Sequence, residues 1–253
     1  MERVLITGAA GAIGTVLRPA LREGLTELRL SDVEPVADLV GGETFVAADL
    51  TDFDAVLRAV EGVDAVVHLG AVPNEAPFDV IAGPNLHGVY HVFEACRRHG
   101  VARVVYASSN HATGMYDVGL PLDGEVAPRP DGLYGASKVF GEALARMYVD
   151  RFGLSAVCLR IGSFKEKPEE ERELSTWLSH ADGVRLVRAA LTADTDFAIV
   201  YGASANTRRW WPADTLIGFV PQDDAETFAP LPPSAFDRQG GPNTARDHGG
   251  WVA

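Results

Sequence analysis

Arg3-Val4-Leu5-Ile6-Thr7-Gly8-Ala9-Ala10-Gly11-Ala12-Ile13-Gly14 lies at the start of the chain and decides its fold. Its first five residues form an apolar run that is typical of a buried strand, and its glycines lead directly into a segment with the apolar period of a helix. The glycines permit a tight turn, a close approach of backbone N–H groups to a phosphate, and close packing of helix on strand. A strand, a glycine turn and a helix in this order predict a binding site for the pyrophosphate of a dinucleotide.

An acidic residue follows the second predicted strand, Glu27-Leu28-Arg29-Leu30-Ser31. This residue is Asp32, eighteen positions after Gly14. A carboxylate at this point accepts hydrogen bonds from a ribose diol and repels a 2′-phosphate. The pattern therefore favours NAD over NADP.

Strand-like and helix-like segments alternate as far as Arg160. Four further apolar runs are typical of strands, at residues 44–47, 65–68, 103–107 and 155–160. Between them, the segment from Val89 to Cys96 repeats apolar residues at the spacing of one helical face. This order predicts an α/β fold of the Rossmann type, which is a doubly wound parallel sheet with helices on both faces.

The sequence changes character after residue 163. We predict an acidic loop over residues 165–173, one helix over about residues 175–193, a strand over residues 197–201 and a Pro/Gly-rich end. Residues 1–163 are thus predicted to form an NAD-binding domain, and residues 164–253 a small C-terminal substrate-binding lobe packed on it as one structural unit. Such a lobe covers the strand ends and limits the ligand to the size of a monosaccharide or a similar metabolite.

Tyr134 and Lys138 lie four residues apart, so a helix presents both on one face. An ammonium beside a phenol lowers the pKa of the phenol, and the phenolate can then act as a base near neutral pH. The same spacing also occurs by chance, as a packed ring beside a solvated lysine. Ser109 follows the predicted strand at 103–107, where the carboxyl ends of parallel strands meet a ligand. Together with the glycine turn, these three residues favour a catalytic site.

Composition limits the partners of the protein. The chain has 253 residues and a formal net charge of −13 at pH 7, so nucleic acid is not expected as a partner and a bound anion needs a local cation. Neither a charged-then-apolar leader nor a long apolar span is found, which predicts no membrane association. Cys96 and Cys158 lie within apolar patterns and are expected to be buried thiols in a reducing cytoplasm.

His87, His91 and Glu94 have a helical spacing that can bind a metal. No further ligand follows in a matching pattern, so an exposed polar helix face is the favoured interpretation and no metal is expected. A Gly-x-Ser-x-Gly motif is absent from the sequence, which leaves hydrolase chemistry of that type without support.

The motifs together resemble the extended short-chain dehydrogenase/reductases. The resemblance rests on the glycine turn, Asp49-Leu50, His68-Leu69-Gly70-Ala71, Ser109 and the Tyr134/Lys138 pair. It implies that Tyr134 is the general base, that Lys138 lowers its pKa and holds the nicotinamide ribose, and that Ser109 orients the reacting oxygen. It also implies NAD as the cofactor, bound by Gly8, Gly11, Ala12, Ile13, Gly14, Asp32, Asp49, Leu50, Leu69, Gly70, Ala71, Asn85, Tyr134, Lys138 and Ile161.

Residues 107–111, 128–135, 159–163 and 174–180 resemble more narrowly the branch of this family that oxidises uronic acids. This resemblance implies NAD-dependent oxidation of D-glucuronate or D-galacturonate at C1 to the aldarolactone, by a homo-oligomer. It implies that Arg172 binds the substrate carboxylate, since a guanidinium fork can bind a carboxylate through two parallel hydrogen bonds. Asn110, His111 and Ser163 are implied to bind its hydroxyl groups.

Two positions depart from this pattern. Pro73 stands where the family pattern has a substrate-contacting serine, and Arg238 stands where it has an aromatic residue. Arg172 also has a second interpretation from the residues alone, because it lies among four glutamates at 169–173 and could form an exposed ion pair at a helix start.

Two other functions remain open on the sequence. A sugar-nucleotide epimerase or dehydratase shares the Tyr/Lys pair, although the length of the chain disfavours it. A non-catalytic dinucleotide sensor shares the fold, but the presence of Ser109, Tyr134 and Lys138 together counts against it.

Overall fold

The structure, a computed structural model, describes residues 1–213 and 215–245. The strands along these residues are β1 (Arg3–Thr7), β2 (Glu27–Asp32), β3 (Glu43–Ala47), β4 (Ala65–His68), β5 (Arg103–Ser109), β6 (Ser155–Ile161), β7 (Ser163–Phe164), β8 (Trp177–Leu178) and β9 (Phe197–Gly202). The helices are α1 (Ala12–Leu21), α2 (Phe53–Val60), α3 (Phe78–Ile81), α4 (Val89–His99), α5 (Leu133–Phe152), α6 (Glu173–Thr176) and α7 (His180–Thr192). A π-helical segment, Ala82–Gly88, joins α3 to α4, and short 3₁₀ helices span Asn110–Thr113, Ala225–Phe228 and Gly241–Thr244.

Seven of these strands form one parallel sheet in the order β3-β2-β1-β4-β5-β6-β9. The order reverses between β1 and β4, and in a doubly wound sheet a ligand binds outside the carboxyl ends of the strands at that point. The predicted Rossmann-type fold is confirmed, and so are all six strands predicted before residue 163.

Both faces of the sheet are covered, which explains why its strands are apolar along their whole length. Val4 and Ile6 belong to the core that includes Leu17 of α1 and Leu186 of α7. Alternation along the strand places Leu5 in the opposite core, with the buried faces of α2, α4 and α5. Cys96 and Cys158 are buried free thiols, as predicted.

The single helix predicted over about residues 175–193 is wrong in its first part. The backbone leaves the helical conformation at Trp177 (φ −59°, ψ 134°), and β8 pairs with β7 instead. The chain becomes helical again only after Ser179, whose hydroxyl caps α7 by accepting from the Asp182 backbone nitrogen at 2.9 Å. A serine cap in extended conformation is a helix start signal, so α7 begins at His180.

The strand predicted over residues 197–201 is confirmed as β9, and it pairs with β6 in the central sheet. The sheet therefore continues beyond residue 163. The division into a domain at 1–163 and a lobe at 164–253 stays a prediction, and residues 214 and 246–253 of that lobe lie outside the described part. Within the described part, no helix has the length and apolar character needed to cross a membrane.

Candidate active site

The glycine turn between β1 and α1 is an open cradle at a helix N-terminus. Gly8 has a φ of +72°, and a Cβ there would lie 2.6 Å from the backbone nitrogen of Gly70. Gly11 is the N-cap of α1 and offers no side-chain cap. The first N–H groups of a helix have no acceptor within the helix, so residues 12–14 can donate to an anion. This cradle fits a pyrophosphate.

Asp32 ends β2 beside the same turn. Its Oδ2 accepts from the Ala10 backbone nitrogen at 2.9 Å, and its Oδ1 accepts from the backbone nitrogens of Val33 and Glu34 at 2.8 and 3.3 Å. These bonds fix the carboxylate at the edge of the cradle. An ionised carboxylate has about four acceptor sites, so Asp32 keeps capacity for the hydroxyls of a ribose, in agreement with NAD.

The residues predicted to line the rest of the cofactor site follow β3 and β4 at the same edge of the sheet. Asp49 accepts from the backbone and the hydroxyl of Thr51, both at 2.8 Å, and these bonds hold the pKa of Asp49 below its usual value. A Cβ at Gly70 would lie 2.9 Å from Cδ1 of Leu50. Because Gly70 has no side chain, the Leu50 side chain can pack directly against the segment at 69–71.

Ser109, Tyr134 and Lys138 meet at the carboxyl end of β5. Ser109 is the last residue of β5, and the other two lie in the first two turns of α5. The Ser109 hydroxyl acts on the Tyr134 phenol as a hydrogen-bonding group that lowers its pKa. Lys138 Nζ lies 5.5 Å from the centroid of the Tyr134 ring and donates to the Ala107 carbonyl at 2.9 Å. A base, a hydroxyl donor and a cation are thereby brought together.

The pKa of Tyr134 differs from the sequence prediction. Burial raises it to about 12, the Ser109 hydrogen bond opposes this rise, and the charge of Asp131 adds to it. Burial also lowers the pKa of Lys138 to about 8. Desolvation of the phenolate thus outweighs the other effects on the pKa of Tyr134 in this structure, and the role of Lys138 in lowering that pKa stays a prediction.

Asn85 lies in the π-helical segment, a kind of distortion that is frequent at functional sites. Its Oδ1 accepts from the Val72 backbone nitrogen at 2.7 Å, and its Nδ2 donates to the Val72 carbonyl at 3.1 Å and to the Ser137 hydroxyl at 3.0 Å. Both amide protons are therefore used within the protein. Asn85 ties the segment after β4 to α5, and its free capacity is the second lone pair of Oδ1.

Arg172 lies at the start of α6, where it meets the other residues implied to bind substrate. Its Nε and Nη2 donate to the Gln239 carbonyl at 3.0 and 2.6 Å. The side-chain nitrogen of Asn110 donates to the Ile161 carbonyl at 3.1 Å, and the side-chain oxygen of Asn110 accepts from Nη2 of Arg172 at 3.1 Å. Nη1 lies 3.5 Å from the Ser163 hydroxyl. Nη1 is thus the nitrogen with capacity for a ligand, and two parallel bonds to a carboxylate would require Asn110 or Gln239 to release Nη2.

The glutamates around Arg172 have other partners. Lys165 pairs with Glu169 at 2.7 Å and with Glu173 at 2.8 Å, and the Ser234 hydroxyl lies 3.2 Å from Glu170. In residues 1–213 and 215–245, no ion pair joins Arg172 to a glutamate. Burial lowers the pKa of Arg172 from its usual value of 12.5. A guanidinium is nevertheless not deprotonated in proteins, so Arg172 is a charged group in a half-buried position.

His111 lies beside Tyr134. Its ring meets the Tyr134 ring edge-on, with centroids 5.9 Å apart. Its Nδ1 lies 2.6 Å from Oδ2 of Asp131, and the Asp131 side chain is only 1% exposed. The predicted substrate residues are thus connected, since Arg172 contacts Asn110 and Ser163 and His111 follows Asn110 in the chain.

Sequence reasoning missed three polar residues of this region. Asp131 lies within residues 128–135, which carry the resemblance to the family, but the sequence indicates no role for it. Glu75 accepts from the backbone nitrogens of Leu133 and Tyr134, both at 2.9 Å, and so caps α5 from a distant loop. Gly132, the N-cap of α5, has no side chain that could cap the helix. This glycine at the helix start was the one indication in the sequence that another residue caps α5.

Gln239 is the third missed residue, and it holds the C-terminal segment inside the protein. Its side chain is fully buried. Nε2 donates to the carbonyls of Asp117 and Leu120 at 3.0 and 2.8 Å, and Oε1 accepts from Trp211 at 2.8 Å. The backbone carbonyl of Gln239 is thereby positioned to bind Arg172.

The residues weighed as a metal site have other contacts. His91 Nδ1 lies 2.7 Å from the Leu50 carbonyl, and Glu94 pairs with Arg97 and Arg98 at 2.8 and 2.9 Å. Throughout the described part of the chain, no group of three or more His, Cys, Asp or Glu side chains could hold a metal ion.

Comparison with known proteins places this fold and site in a family. The sequence profile described as "NAD dependent epimerase/dehydratase family" matches residues 4–200. The match covers more than half of the chain, including the glycine turn, Ser109, Tyr134 and Lys138. The chain belongs to the NAD-dependent epimerase/dehydratase family.

Individual relatives give more specific information than the family profile. The chain is 46% identical over 231 residues to a uronate dehydrogenase of Pseudomonas putida, with 90% of this chain and 86% of the relative covered. A crystal structure of a point mutant of uronate dehydrogenase from Agrobacterium tumefaciens, complexed with NAD, is 44% identical with a TM-score of 0.91, over 96% of this chain and 97% of that one. A glucuronic acid dehydrogenase from Chromohalobacter salexigens is 40% identical with a TM-score of 0.93, over 100% and 99% of the two chains. These findings confirm the resemblance seen in the sequence.

Proposed function

We propose that this protein oxidises D-glucuronate or D-galacturonate at C1, with NAD as the oxidant, to the corresponding aldarolactone. The observation that carries the proposal is the position of Arg172. Its guanidinium is held by Gln239 and Asn110 beside Ser163, and not by the glutamates around it. A cation that bonds to Asn110, the residue after Ser109, supplies what a sugar acid needs and a neutral sugar does not.

The residues present fit NAD, as the glycine cradle and Asp32 show, and bound NAD would accept the hydride that leaves C1. Tyr134 removes the proton of the C1 hydroxyl, and the electron pair of that O–H bond forms the new carbonyl as the C1–H bond breaks. The ring oxygen stays attached to C1, so the product is a lactone. The glycine cradle binds the cofactor phosphates, and Asp32 binds a ribose diol.

Three side chains prepare Tyr134 for this step. The hydrogen bond from Ser109 favours the phenolate and orients the reacting oxygen. Lys138 keeps an ammonium 5.5 Å from the phenol ring. Asn85 ties α5 to the segment that follows β4, and we assign it the lone pair of Oδ1 for a bridging water or a ribose hydroxyl.

Arg172 binds the substrate carboxylate through Nη1, and Asn110, His111 and Ser163 bind hydroxyls. Pro73 offers neither a side-chain nor a backbone donor, so the sugar contact expected of a serine there falls to other residues. Arg238 pairs with Asp117 and so holds the C-terminal segment.

The experiment is to follow NADH formation by absorbance with D-glucuronate, D-galacturonate, D-glucose, D-galactose and glucose 6-phosphate. Reduction of NAD is expected with the two uronates. Arg172→Ala should raise the KM for glucuronate by roughly 30- to 100-fold, since a charge-assisted bond to a carboxylate is lost, and should leave the KM for NAD unchanged. The matched control is Arg208→Ala, because Arg208 is a nearby arginine that pairs with Glu226 at 2.7 Å.

Absence of NADH with every uronate, in protein that binds NAD, would contradict the proposal and favour an epimerase, which returns its hydride. Equal turnover of glucose and glucuronate, or an unchanged KM for glucuronate in Arg172→Ala, would contradict the role of Arg172.

We also propose that the enzyme is a cytoplasmic homo-oligomer. Two buried reduced cysteines fit a reducing compartment. Tyr90 on α4 and Phe140 on α5 are 45% and 40% exposed. Contact with a second copy of the protein would cover these side chains and remove their apolar area from water. Light scattering of the purified protein tests the oligomer, and a monomer at micromolar concentration would contradict it.

A further inference from the structure

Asp131 is a buried carboxylate with one polar partner. Oδ2 lies 2.6 Å from His111 Nδ1, whereas Oδ1 is buried and has no hydrogen-bond partner in the described structure. Gly114 and Gly240 face Oδ2, and a Cβ at either position would overlap it. The surrounding backbone therefore leaves space for a carboxylate that serves His111.

This contact decides which ring nitrogen carries the proton. An ionised carboxylate only accepts hydrogen bonds, so Nδ1 must be the donor. In a neutral imidazole the other nitrogen is then an acceptor. Nε2 of His111 is thus left with a lone pair.

Asn243 is the competing neighbour of His111. Its Nδ2 lies 3.4 Å from Nδ1, which is longer than the contact to Asp131 by 0.8 Å. A charge-assisted bond at the shorter distance is the stronger of the two. Rotation of the Asn243 amide would in addition turn an oxygen toward the same N–H, since amide orientation follows the hydrogen-bond network.

We propose that Asp131 is a positioning residue that fixes His111 in the Nδ1–H tautomer and thereby makes Nε2 an acceptor for a substrate hydroxyl. The use of that acceptor rests on the proposed function, whereas the tautomer does not. His111 then selects a sugar that offers a hydroxyl proton at this point. A substrate with only a hydrogen-bond acceptor at this point faces the lone pair of Nε2, and the repulsion between the two acceptors disfavours its binding.

The first test reads the tautomer directly, from long-range 15N–1H NMR spectra of 15N-histidine-labelled protein bound to NAD. The resonances of His111 are those lost in His111→Gln. We expect a protonated Nδ1 and an unprotonated Nε2. A proton on Nε2, either in the other neutral tautomer or in an imidazolium at neutral pH, would overturn the proposal.

The second test is the isosteric substitution Asp131→Asn. An NH₂ group in the place of Oδ1 would be buried without an acceptor, so the amide should turn its NH₂ toward His111 Nδ1 and move the proton to Nε2. We expect kcat/KM for glucuronate to fall about tenfold or more, mainly through KM, with the Kd of NAD unchanged. Asp131→Ala should also lower kcat/KM, because it removes the acceptor altogether.

A double mutant separates positioning from a structural role. If Asp131 acts through His111, the loss in Asp131→Asn/His111→Gln should equal the loss in His111→Gln alone. Additive losses would overturn the proposal. Failure of the proposed function would appear differently, as absence of uronate turnover in the unmodified protein, and the NMR result would still decide the tautomer.

Discussion

Lys138 shows how a single buried charge affects both catalysis and stability. The ammonium is buried and, among residues 1–213 and 215–245, makes one hydrogen bond, to the Ala107 carbonyl. Burial lowers its pKa to about 8 from the model-peptide value of 10.5. Below pH 8 the folded protein therefore holds a charge that the unfolded chain holds at lower free energy.

The stability cost of this charge should disappear as the pH rises. Between about pH 8 and 10.5 the unfolded state binds more protons at this position than the folded state, so the free energy of unfolding rises with pH across that window. Lys138→Met should inactivate the enzyme and raise the free energy of unfolding at pH 7, by up to about 3 kcal/mol before the lost hydrogen bond is subtracted. The measurement is urea denaturation of both proteins at pH 7 and at pH 10.5. All other groups titrate in both proteins. A difference in the free energy of unfolding between the two proteins that is the same at both pH values would therefore contradict the lowered pKa of Lys138.

The positions of Ser109, Tyr134 and Lys138 could be predicted from the sequence, but their electrostatics could not. Helical spacing and the rule that ligands meet strand ends are local features. The rise in the pKa of Tyr134 depends on burial, and the orientation of Lys138 depends on a carbonyl of a different element. Both are consequences of tertiary packing.

The N-terminus of α5 is stabilised by a residue from another part of the chain. The two carboxylate oxygens of Glu75 accept from the backbone nitrogens of Leu133 and Tyr134. A Cβ at Gly132 would overlap this carboxylate. The helix that carries Tyr134, which we propose as the general base, is thus fixed to the loop after β4, and this loop also contacts Asn85 through Val72.

Glu75→Gln should lower kcat, because an amide offers one acceptor where the carboxylate offers two, and the start of α5 loosens. The loss of stability should be about 1 kcal/mol, with the Kd of NAD unchanged. The control is Asp64→Asn, which neutralises a carboxylate at the opposite end of the sheet; Oδ2 of Asp64 accepts from the backbone nitrogens of Glu2 and Arg3 at 2.5 and 2.9 Å. Steady-state kinetics and thermal unfolding of both variants are compared. Equal kcat values in the two variants, at equal stability loss, would contradict a positioning role for Glu75.

Elements were predicted well where the signal is local and poorly where it is not. The six strands before residue 163 follow from apolar runs, and helix α4 follows from the apolar periodicity of the segment from Val89 to Cys96. The interruption between α6 and α7 does not, because Trp177 and Leu178 fit a helical pattern equally well and become a strand only by pairing with β7. The cap by Glu75 joins residues 58 and 59 positions apart, and no local pattern indicates such a contact.

At the scale of the whole molecule, the C-terminal segment returns to the active site. The backbone nitrogens of Gln239 and Gly240 donate to the carbonyls of Tyr116 and Gly114, both at 2.8 Å. Gly241 has a φ of +60°, and a Cβ there would lie 2.9 Å from Nε of Arg172. The segment therefore wraps around the guanidinium that we assign to the substrate carboxylate.

Gln239→Ala should weaken substrate binding more than cofactor binding. The substitution removes three side-chain hydrogen bonds that anchor the segment, so the carbonyl that holds Arg172 becomes mobile. We expect the KM for glucuronate to rise by about tenfold and the Kd of NAD to stay unchanged. The control is Gln222→Ala, since Gln222 is exposed and contacts Asp182 through its backbone nitrogen. A larger effect on NAD than on glucuronate would contradict this role of the segment.

This return of the chain explains why the C-terminal part was the least predictable. The Pro/Gly-rich end has no apolar periodicity. The structural role of Gln239 depends on hydrogen bonds to residues more than one hundred positions earlier in the chain. The strand order, in contrast, follows from alternating strands and helices and from right-handed crossovers. The fold was therefore available from the sequence, whereas the wall of the substrate site was not.

The most direct test of the proposed reaction is the fate of the hydrogen at C1. D-Glucuronate labelled with deuterium at C1 is mixed with NAD and the enzyme, and the NADH that forms is analysed by mass spectrometry. Hydride transfer from C1 predicts NADH that carries one deuterium, with formation lost in Tyr134→Phe. Unlabelled NADH, or deuterium retained in the sugar with no net NADH, would contradict the account.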